Sequence, residues 1–495
     1  MGVVRKQSIH SSVYIYMGFA LGAFNFWLLP KILTTDEFGL IRILISVCTL
    51  LAGLCSLGTQ QVITRFFPYY NSDPRGRKND LLGWSVIIGM GGFLLLVLIT
   101  VLFKGLFIRK FQGNSPLFVD YFYLIYPFTL FILLYGIYER IAWSNQVTVL
   151  SNFLRETGVR LFTLVIVVAL WARWISFRSF VTLYSLQFGV VFLFLYVFLT
   201  IRKNTHLSLR VSETTRKHYR EMLSYAGFIV GGGLFMLIEQ NFNTILLGSR
   251  SSLTTAGIFD LANFMATLLL VPKRSMQAAA SATIATAMKD SDMERVARLY
   301  RKSCATLLIV SLFILGVIWL NIDHVFDLYK PQYRSGKYVM LVIGIAYVVD
   351  MATGLNYDIL VNSKLWKLHF YISVGLVAFF LPVTYLFVRW FSMMGSAYAI
   401  LLSLTIYNLV RCVLLWWKYK FQPFSVKTLL ILASGLGAYL ATHFIVPPLD
   451  NMILDGLVKC SCFTVLFAVA VIGGKLSEDL SELYHSLLII LRIKK

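Results

Sequence analysis

Fourteen apolar runs, each long enough to cross a lipid bilayer, constrain this chain of 495 residues more than any other feature. A transmembrane helix needs about 20 consecutive apolar residues, and backbone polar groups in lipid must be satisfied within the segment itself. Charged residues make up only 14% of the chain, against roughly 25% in soluble domains. The sequence therefore predicts an all-α polytopic membrane protein. The predicted spans are 10–33, 38–66, 81–104, 120–143, 148–172, 178–201, 222–248, 255–284, 302–322, 336–362, 367–389, 394–417, 427–447 and 454–474.

The formal net charge of +22 gives the orientation of these spans. In a soluble chain such an excess would suggest a nucleic-acid partner, but here the charges follow the connections. The N-terminus, the even-numbered connections and the tail carry more than twice as many Lys and Arg residues as the odd-numbered connections. The positive-inside rule therefore predicts that both termini are cytoplasmic and that nucleic acid is not a partner. Six basic residues remain at membrane depth, and these are Arg42, Arg155, Arg160, Lys273, Arg274 and Arg411.

An internal repeat relates the two halves of the chain. A shift of 218 residues places Phe24–Leu51 over Phe242–Leu269, with identities that include the Phe-Asn pair and the glycines Gly39 and Gly257. Six spans separate the copies, so both copies enter the bilayer in the same direction, as parallel repeats about an axis along the membrane normal. The alternative is a chance match between two apolar sequences.

The repeat predicts two six-helix lobes with two further helices. The predicted regions are an N-terminal lobe (1–201), a cytoplasmic connector (202–221), a C-terminal lobe (222–420), helices 13 and 14 (421–474) and an amphipathic cytoplasmic tail (475–495). The tail pattern is that of a helix lying on the membrane surface.

Polar stripes run along four of the predicted spans. A charge at mid-bilayer costs at least about 2.5–3.5 kcal/mol on insertion scales, so these faces are expected to meet protein or water and to enclose a polar cavity. The alternative is that the small and polar residues simply pack helices together. The stripes are Arg42, Ser46, Thr49, Gly53, Ser56, Gln60 and Thr64 in helix 2; Asp260, Asn263, Thr267, Leu270, Arg274, Gln277 and Ser281 in helix 8; Tyr14, Gly18 and Asn25 in helix 1; and Glu239 and Asn243 in helix 7.

Arg42 and Asp260 are opposite charges at equivalent positions of the repeat, 218 residues apart. We therefore predict that they form an ion pair that closes an outward gate between the lobes. Interfacial snorkelling is the alternative, because both residues lie near the outer ends of their helices.

The other charged residues at membrane depth give less specific indications of function. Glu156 and Arg160 have the i, i+4 spacing of a helical ion pair, although a contact with lipid headgroups is an equal alternative for this segment. Asp350 and Asp358 lie two turns apart and are weak candidates for a cation site.

The sequence lacks the usual motifs of energy-coupled or hydrolytic enzymes. No P-loop, HExxH or GxSxG pattern occurs, so the chain is predicted not to be an enzyme. The six cysteines lie in or beside apolar runs without metal-ligand spacing, which predicts no metal site and no disulfide framework.

The short joins Thr34–Glu37 and Ser249–Thr254 are predicted to form tight helical hairpins, and these hairpins carry a resemblance to a known family. In architecture the whole chain resembles the Wzx-type polysaccharide flippases of the multidrug/oligosaccharidyl-lipid/polysaccharide exporter superfamily. The hairpins read LLPKILTTDEFGLIR and ILLGSRSSLTTAGIFDLA. The resemblance implies a bacterial inner-membrane protein that moves undecaprenyl-pyrophosphate-linked oligosaccharide to the periplasmic leaflet by alternating access, without ATP.

The resemblance implies roles for the polar residues. Lys273 and Arg274 are predicted to bind the pyrophosphate, because guanidinium binds phosphate oxygens in bidentate fashion, and Arg42 is a second phosphate contact or a gate. Glu239 is the candidate for coupling to H⁺ or Na⁺, with Asp260 in the gate. Tyr14, Asn25, Gln60 and Asn243 are predicted to contact the glycan.

Other functions remain open at this stage. The nearest rival is a lipid II flippase of peptidoglycan synthesis, and a weaker one is a membrane-embedded glycan polymerase or ligase, for which the longest outer connection (104–120) is short. No cofactor is expected. The expected partners are the lipid-linked oligosaccharide, membrane lipids and glycan-assembly proteins, with the protein acting as a monomer.

Overall fold

A computed structural model describes residues 2–70, 79–145, 147–202 and 207–476 of the chain. All but the first two residues of the predicted tail at 475–495 lie outside these ranges.

The described chain is helical, and no strand occurs within those ranges. Three 3-10 segments (Phe122–Leu124, Leu268–Leu270 and Pro331–Gly336) and one π-helical segment (Phe153–Gly158) join or interrupt the α-helices. The α-helices are α1 (Gly2–Ile32), α2 (Thr35–Cys55), α3 (Thr59–Tyr70), α4 (Leu81–Leu102), α5 (Lys104–Gln112), α6 (Pro116–Asp120), α7 (Ile125–Ser144), α8 (Thr148–Asn152), α9 (Val159–Trp171), α10 (Phe177–Ile201), α11 (Glu213–Arg250), α12 (Leu253–Thr267), α13 (Val271–Lys289), α14 (Met293–Leu320), α15 (Ile322–Asp327), α16 (Lys337–Ala352), α17 (Asn356–Val361), α18 (Trp366–Tyr419), α19 (Val426–Ile445) and α20 (Met452–Gly473).

The prediction of an all-α polytopic membrane protein is confirmed. Within the described ranges, ten helical stretches are long and apolar enough to cross a membrane, and each predicted span falls on one or more helices. One of the ten stretches, α18, has 54 residues. At 1.5 Å per residue it is about 80 Å long, far more than the roughly 30 Å hydrocarbon thickness. Ser392, with φ 51° and ψ −128°, breaks it between the two spans predicted there.

Several predicted spans are less regular than a continuous helix, and 38–66 is one of them. The prediction of one helix over 38–66 is wrong, because α2 ends at Cys55 and α3 begins at Thr59. Leu57 and Gly58 between them have φ values of 46° and 78°. Glycine adopts this left-handed conformation without steric cost. The polar stripe of helix 2 is therefore divided between two helices rather than lying on one face.

The first hairpin is fixed by a reciprocal helix cap. The side chain of Thr34 accepts a hydrogen bond from the Glu37 backbone N–H at 3.2 Å, and the Glu37 carboxylate accepts one from the Thr34 N–H at 2.8 Å. This capping box satisfies two backbone donors that the helix itself leaves unpaired. It explains why the chain reverses within a few residues, as the sequence predicted.

The two hairpins of the repeat contact each other at equivalent positions. Asp36 accepts hydrogen bonds from both the backbone N–H, at 3.1 Å, and the hydroxyl of Thr254, which lies 218 residues further along the chain. Thr35 and Thr254 hydroxyls are 3.2 Å apart. A Cβ atom on Gly257 would lie 3.1 Å from the Cα of Gly39, its own repeat equivalent. The parallel repeat itself stays a prediction.

The chain divides into two compact units, Met1–Gly257 and Ile258–Lys495. The first unit has a core of buried residues from several helices, among them Ile63, Phe66, Leu133 and Leu195. In the described part of the second unit, buried residues cluster around Tyr300 and around Phe463. The lobe and connector boundaries proposed from the repeat stay a prediction.

The end of the predicted connector is tied to the first unit by a buried carboxylate. Asp80 is fully buried and accepts hydrogen bonds from the Ser212 backbone N–H and hydroxyl, at 2.9 and 2.8 Å, and from the Thr215 hydroxyl at 2.8 Å. Ser212 is the N-cap residue of α11 and Thr215 lies in its first turn, where a negative charge is favourable. The Tyr70 hydroxyl lies 2.6 Å from that of Thr215, and burial raises the pKa of Tyr70 to about 12. The phenol therefore stays protonated at neutral pH.

Because the two hairpins approach closely at Gly39, a methyl group added at this position is expected to lower the stability of the protein. A Cβ atom on Gly39 would lie 1.9 Å from the carbonyl oxygen of Leu253. We expect Gly39→Ala to lower the free energy of unfolding by about 1–3 kcal/mol, the usual cost of overpacking. Gly91→Ala is the matched control in α4, because a Cβ there meets nothing within 4 Å. Thermal unfolding in detergent, followed by tryptophan fluorescence, compares the two variants. Equal melting temperatures would contradict the contact.

Candidate functional site

A buried ion pair lies at the centre of the polar residues of the second unit. The Lys273 Nζ atom is 2.7 Å from the Asp350 Oδ2 atom and 3.4 Å from the Asp350 carbonyl oxygen. Lys273 is 7% exposed and Asp350 9%. Pro272 stands in the first turn of α13, after the 3-10 segment Leu268–Leu270, and there its missing N–H costs nothing. This interruption of the helix precedes Lys273 directly.

Asp350 is the first member of a larger buried network. Asn408 of α18 donates a hydrogen bond to its Oδ1 atom at 3.0 Å. The Asn408 Oδ1 atom accepts bonds from the Thr353 hydroxyl at 2.9 Å and from the Asn356 side-chain amide at 2.8 Å. The Oδ1 atom of Asn356 is buried and has no partner among the described residues. The network joins α13, α16, α17 and α18. Both charges of the ion pair are therefore bonded to protein groups, Lys273 to Asp350 and Asp350 also to Asn408.

Arg274 has a different environment from its neighbour. Its side chain is exposed, and it forms no ion pair with the residues that the structure describes. One turn further along α13, the Gln277 amide donates a hydrogen bond to Asp358 at 3.0 Å. Of the two adjacent cations predicted to bind phosphate, one is therefore held by a carboxylate and the other is open to a ligand.

A second set of charges lies in the first unit, around the π-helical segment. The Arg155 Nη1 atom is 2.7 Å from the Glu139 Oε2 atom, and Glu139 is 2% exposed. The predicted ion pair between Glu156 and Arg160 is confirmed, with 2.9 Å between Oε2 and Nη1. π-Helical turns are rare and are frequent at functional sites.

The polar stripe of α1 packs against this π-helical segment. The ring of Tyr14 meets that of Phe153 edge to face, with centroids 5.0 Å apart, and the Tyr14 carbonyl accepts a bond from Thr157 at 2.8 Å. Asn25 is 5% exposed and donates to the Arg160 carbonyl at 2.8 Å. The Asn25 Oδ1 atom is buried without a partner among the described residues.

The remaining predicted site residues lie at separate places. Gln60 is half-buried at the start of α3, and its amide would be 2.4 Å from a Cβ on Gly136. Asn243 is half-buried in α11, and its Oδ1 atom has no partner among the described residues. Arg42 stacks over the Phe26 ring at 4.6 Å. Asp260 is buried at 5% exposure, and the side chain of Glu239 lies outside the described residues.

Sequence reasoning found Lys273 but missed its partners. The sequence pairs Asp350 only with Asp358, as a weak candidate for a cation site, and it gives no indication of a role for Asn408 or Glu139. A usable signal was present, because a lone charge inside an apolar span needs a partner of opposite sign. The choice among several acidic residues, however, depends on helix packing that periodicity does not give. Among the described residues, no group of three or more His, Cys, Asp or Glu side chains is arranged to hold a metal ion.

The fold is that of membrane transporters of the MOP superfamily. A structure described as the lipid II flippase MurJ in an inward closed conformation matches with a TM-score of 0.66 at 14% identity, covering 94% of this chain and 99% of that one. An inward-facing multidrug resistance MATE family transporter of the MOP superfamily matches with a TM-score of 0.66 at 14% identity, over 83% and 94% of the two chains. A MOP superfamily transporter from Pyrococcus furiosus gives 0.56 at 14% identity, over 84% and 96%. At this identity the likeness concerns the fold alone.

The chain belongs to the polysaccharide biosynthesis protein family. The family model matches residues 3–284, which is more than half of the sequence. No curated protein matches the sequence significantly. The chain is therefore a multi-pass membrane protein of a polysaccharide biosynthesis family, with a transporter fold.

The buried ion pair predicts strong coupling between its two members. We expect Lys273→Met or Asp350→Asn alone to lower the free energy of unfolding by about 3–5 kcal/mol, because each leaves a buried charge unpaired. The double variant should lose less than the sum of the two. Unfolding titrations in mixed detergent measure this cycle.

The matched control is the more exposed pair formed by Lys337 and Asp323, with 2.7 Å between Nζ and Oδ1. The Asp323 side chain is 73% exposed, so the corresponding cycle should give a coupling of about 1 kcal/mol or less. Additive losses at positions 273 and 350 would show that the buried pair is not coupled.

Proposed function

We propose that the protein is a flippase for undecaprenyl-pyrophosphate-linked oligosaccharide, a precursor of a surface polysaccharide. It moves this cargo from the cytoplasmic to the periplasmic leaflet by alternating access, and it performs no covalent chemistry. Membership of the polysaccharide biosynthesis family supports the glycan cargo. The shared fold with transporters, among them one described as a lipid II flippase, supports transport.

The observation that carries this proposal is the charge inside the candidate span Leu253–Gln277. This stretch is apolar enough to cross a membrane, yet it contains both Lys273 and Arg274. Cations at membrane depth are costly and in general mark substrate or ion pathways. A pyrophosphate attached to a polyprenyl chain is an anion that must cross the same depth, and a guanidinium binds its oxygens in pairs.

We assign the first phosphate contact to Arg274, which is exposed and unpaired within the described part of the chain. Lys273 joins when the phosphate competes with Asp350 for its ammonium group. This exchange keeps the buried lysine paired in both states, while Asp350 keeps its hydrogen bond from Asn408, so phosphate binding must offset the loss of the cation beside that carboxylate. Arg42 is the further phosphate contact or gate.

The glycan requires hydrogen-bonding groups rather than charge. Asn25 and Asn243 each have a buried amide oxygen without a partner in the described structure, and such oxygens accept bonds from sugar hydroxyls. Tyr14 and Gln60 complete the proposed glycan contacts. Glu239 is the proposed coupling residue for H⁺ or Na⁺.

The proposed location is the bacterial inner membrane, with both termini in the cytoplasm. The excess of Lys and Arg in one set of connections supports this orientation. The proposed partners are the lipid-linked cargo, the surrounding lipids and glycan-assembly proteins, with the protein acting as a monomer.

Lipid II transport is the second candidate function. It is favoured by the match to the structure described as MurJ, which extends over 94% of this chain. Both cargoes carry a polyprenyl pyrophosphate, so the phosphate contacts are the same in either case. Competition between unlabelled lipid II and labelled oligosaccharide lipid for transport separates the two functions.

Reconstituted transport tests the proposal directly. The protein is placed in vesicles with fluorescent polyprenyl-pyrophosphate oligosaccharide, and transfer between leaflets is measured. We expect Arg274→Ala to slow transfer by about tenfold or more, because hydrogen bonds to charged groups contribute about 1.5–3 kcal/mol. Glu239→Gln is expected to remove any dependence of the rate on an ion gradient.

Arg109→Ala removes an exposed cation of α5 and serves as the control with unchanged transfer. If the wild-type protein moves no such lipid, the flippase assignment is wrong. If Arg274→Ala alone behaves as wild type, the phosphate assignment is wrong and the flippase assignment survives.

The proposed gate predicts a specific pattern among charge reversals. Arg42→Asp or Asp260→Arg alone should slow transfer, because each places like charges at the two equivalent positions of the repeat. The double reversal restores opposite charges and should recover most of the rate in the same vesicle assay. Single reversals that transport normally would rule out the gate.

A further inference from the structure

Arg411 of α18 is a cation at membrane depth to which the proposed function gives no role. It forms no ion pair with the residues that the structure describes. Its Nε atom is buried and has no hydrogen-bond acceptor. A buried donor without an acceptor is costly, and it is more costly when the group is charged. The fold therefore holds a guanidinium group that a ligand with anionic oxygens would stabilise.

Two tyrosine rings fix the position of this guanidinium group. The Arg411 Cζ atom lies 5.4 Å from the centroid of the Tyr357 ring and 5.5 Å from that of the Tyr407 ring. The face of an aromatic ring attracts a cation. It does not supply the oxygen acceptors with which guanidinium N–H groups form their strong, paired hydrogen bonds. The rings therefore hold the charge in place and leave its hydrogen-bonding capacity to a ligand.

Both tyrosine rings are themselves held by neighbouring groups. The Tyr407 hydroxyl donates a hydrogen bond to the Ser373 carbonyl at 3.2 Å. The ring of His369, which is 5% exposed, meets the Tyr357 ring edge to face, with centroids 5.6 Å apart. Binding costs less when the binding group is already ordered. Tyr357 is 38% exposed, so the cluster is open on the side of this ring.

Arg411 lies close to the buried ion pair along the same helix. Asn408, which donates a hydrogen bond to Asp350 at 3.0 Å, precedes it by three residues, or about 4.5 Å along the helix axis. Arg411 is on the side of Asn408 that leads to the end of α18 at Tyr419. In the proposed orientation this end of the helix is cytoplasmic. An anion that enters from the cytoplasmic leaflet along α18 therefore meets Arg411 before it reaches Lys273.

We propose that Arg411 binds the pyrophosphate of the polyprenyl-linked cargo on entry from the cytoplasmic leaflet, ahead of the transport site at Lys273 and Arg274. This assignment rests on the proposed function for the identity of the cargo. A guanidinium group binds two phosphate oxygens at once, whereas an ammonium group acts as a point charge. The arginine at this position is therefore not interchangeable with lysine.

Lipid binding to the full-length protein in phosphatidylcholine nanodiscs tests this assignment. The two ligands are undecaprenyl pyrophosphate and undecaprenol, which has the same tail without the phosphates. We expect Arg411→Gln to bind undecaprenyl pyrophosphate about fivefold or more weakly than wild type, because hydrogen bonds to a charged group are lost. It should bind undecaprenol as wild type does, which also shows that the variant is folded. Arg411→Lys keeps the charge without the paired geometry and should give an intermediate affinity.

Arg389→Gln is the matched control, because Arg389 is an exposed cation of the same helix, and it should bind both lipids as wild type does. Equal binding of undecaprenyl pyrophosphate by Arg411→Gln and wild type would overturn the assignment. A parallel loss of both lipids would show that Arg411 only supports the structure, and would overturn it too. Displacement of undecaprenyl pyrophosphate by an equal amount of phosphatidylglycerol would assign the site to bilayer lipids instead.

The vesicle transfer assay distinguishes failure of this assignment from failure of the proposed function. If wild type moves the oligosaccharide lipid while Arg411→Gln binds undecaprenyl pyrophosphate normally, the assignment is wrong and the flippase function stands. If wild type moves no such lipid but its binding of undecaprenyl pyrophosphate depends on Arg411, the flippase function is wrong and the phosphate site stands.

Discussion

The lack of water inside a bilayer is the constraint from which the rest of this structure follows. Each backbone polar group must be paired within its own segment, so the described chain is helical. A buried charge needs an opposite charge or hydrogen-bond donors, and Lys273 and Asp350 meet at 2.7 Å for that reason. Glu139 and Arg155 repeat the same solution in the first unit. The absence of water in the bilayer thus accounts both for the helical fold and for the buried polar network.

The positions of the membrane spans can be predicted from the sequence, because each span is one continuous run whose length and apolar content can be read directly. The breaks in the helices within these spans cannot be predicted in this way. The interruption at Leu57 and Gly58 divides a run that is apolar and of suitable length, and only the left-handed backbone there shows that one predicted helix is two. The π-helical segment Phe153–Gly158 is likewise invisible to periodicity. Such breaks depend on what a neighbouring helix offers, here the close approach of Gly18 to Glu156.

In the candidate site, too, some features can be read from one segment of the sequence, and others depend on how distant segments pack together. Lys273 and Arg274 were identified because a cation within an apolar span is conspicuous in any sequence. Their difference, with one buried against Asp350 and the other exposed, depends on the packing of α13 against α16. A sequence gives the residues that need partners, and the fold decides which of them are already satisfied. The unsatisfied residue is where a ligand has most to contribute.

Under the repeat predicted from the sequence, the contact between Asp36 and Thr254 can be compared with the contact between two subunits of a homodimer. In a symmetric dimer, residues that face each other across the axis are identical, so two aspartates or two threonines would meet. Two aspartates would repel, and two threonines would lack the charge that strengthens a hydrogen bond. In a single chain the two residues that meet need not be of the same type. Here one copy supplies only an acceptor, while the other supplies two donors from its N–H and hydroxyl groups. On this prediction, a single chain can place at equivalent positions a complementary pair that no dimer of identical subunits can place on its axis.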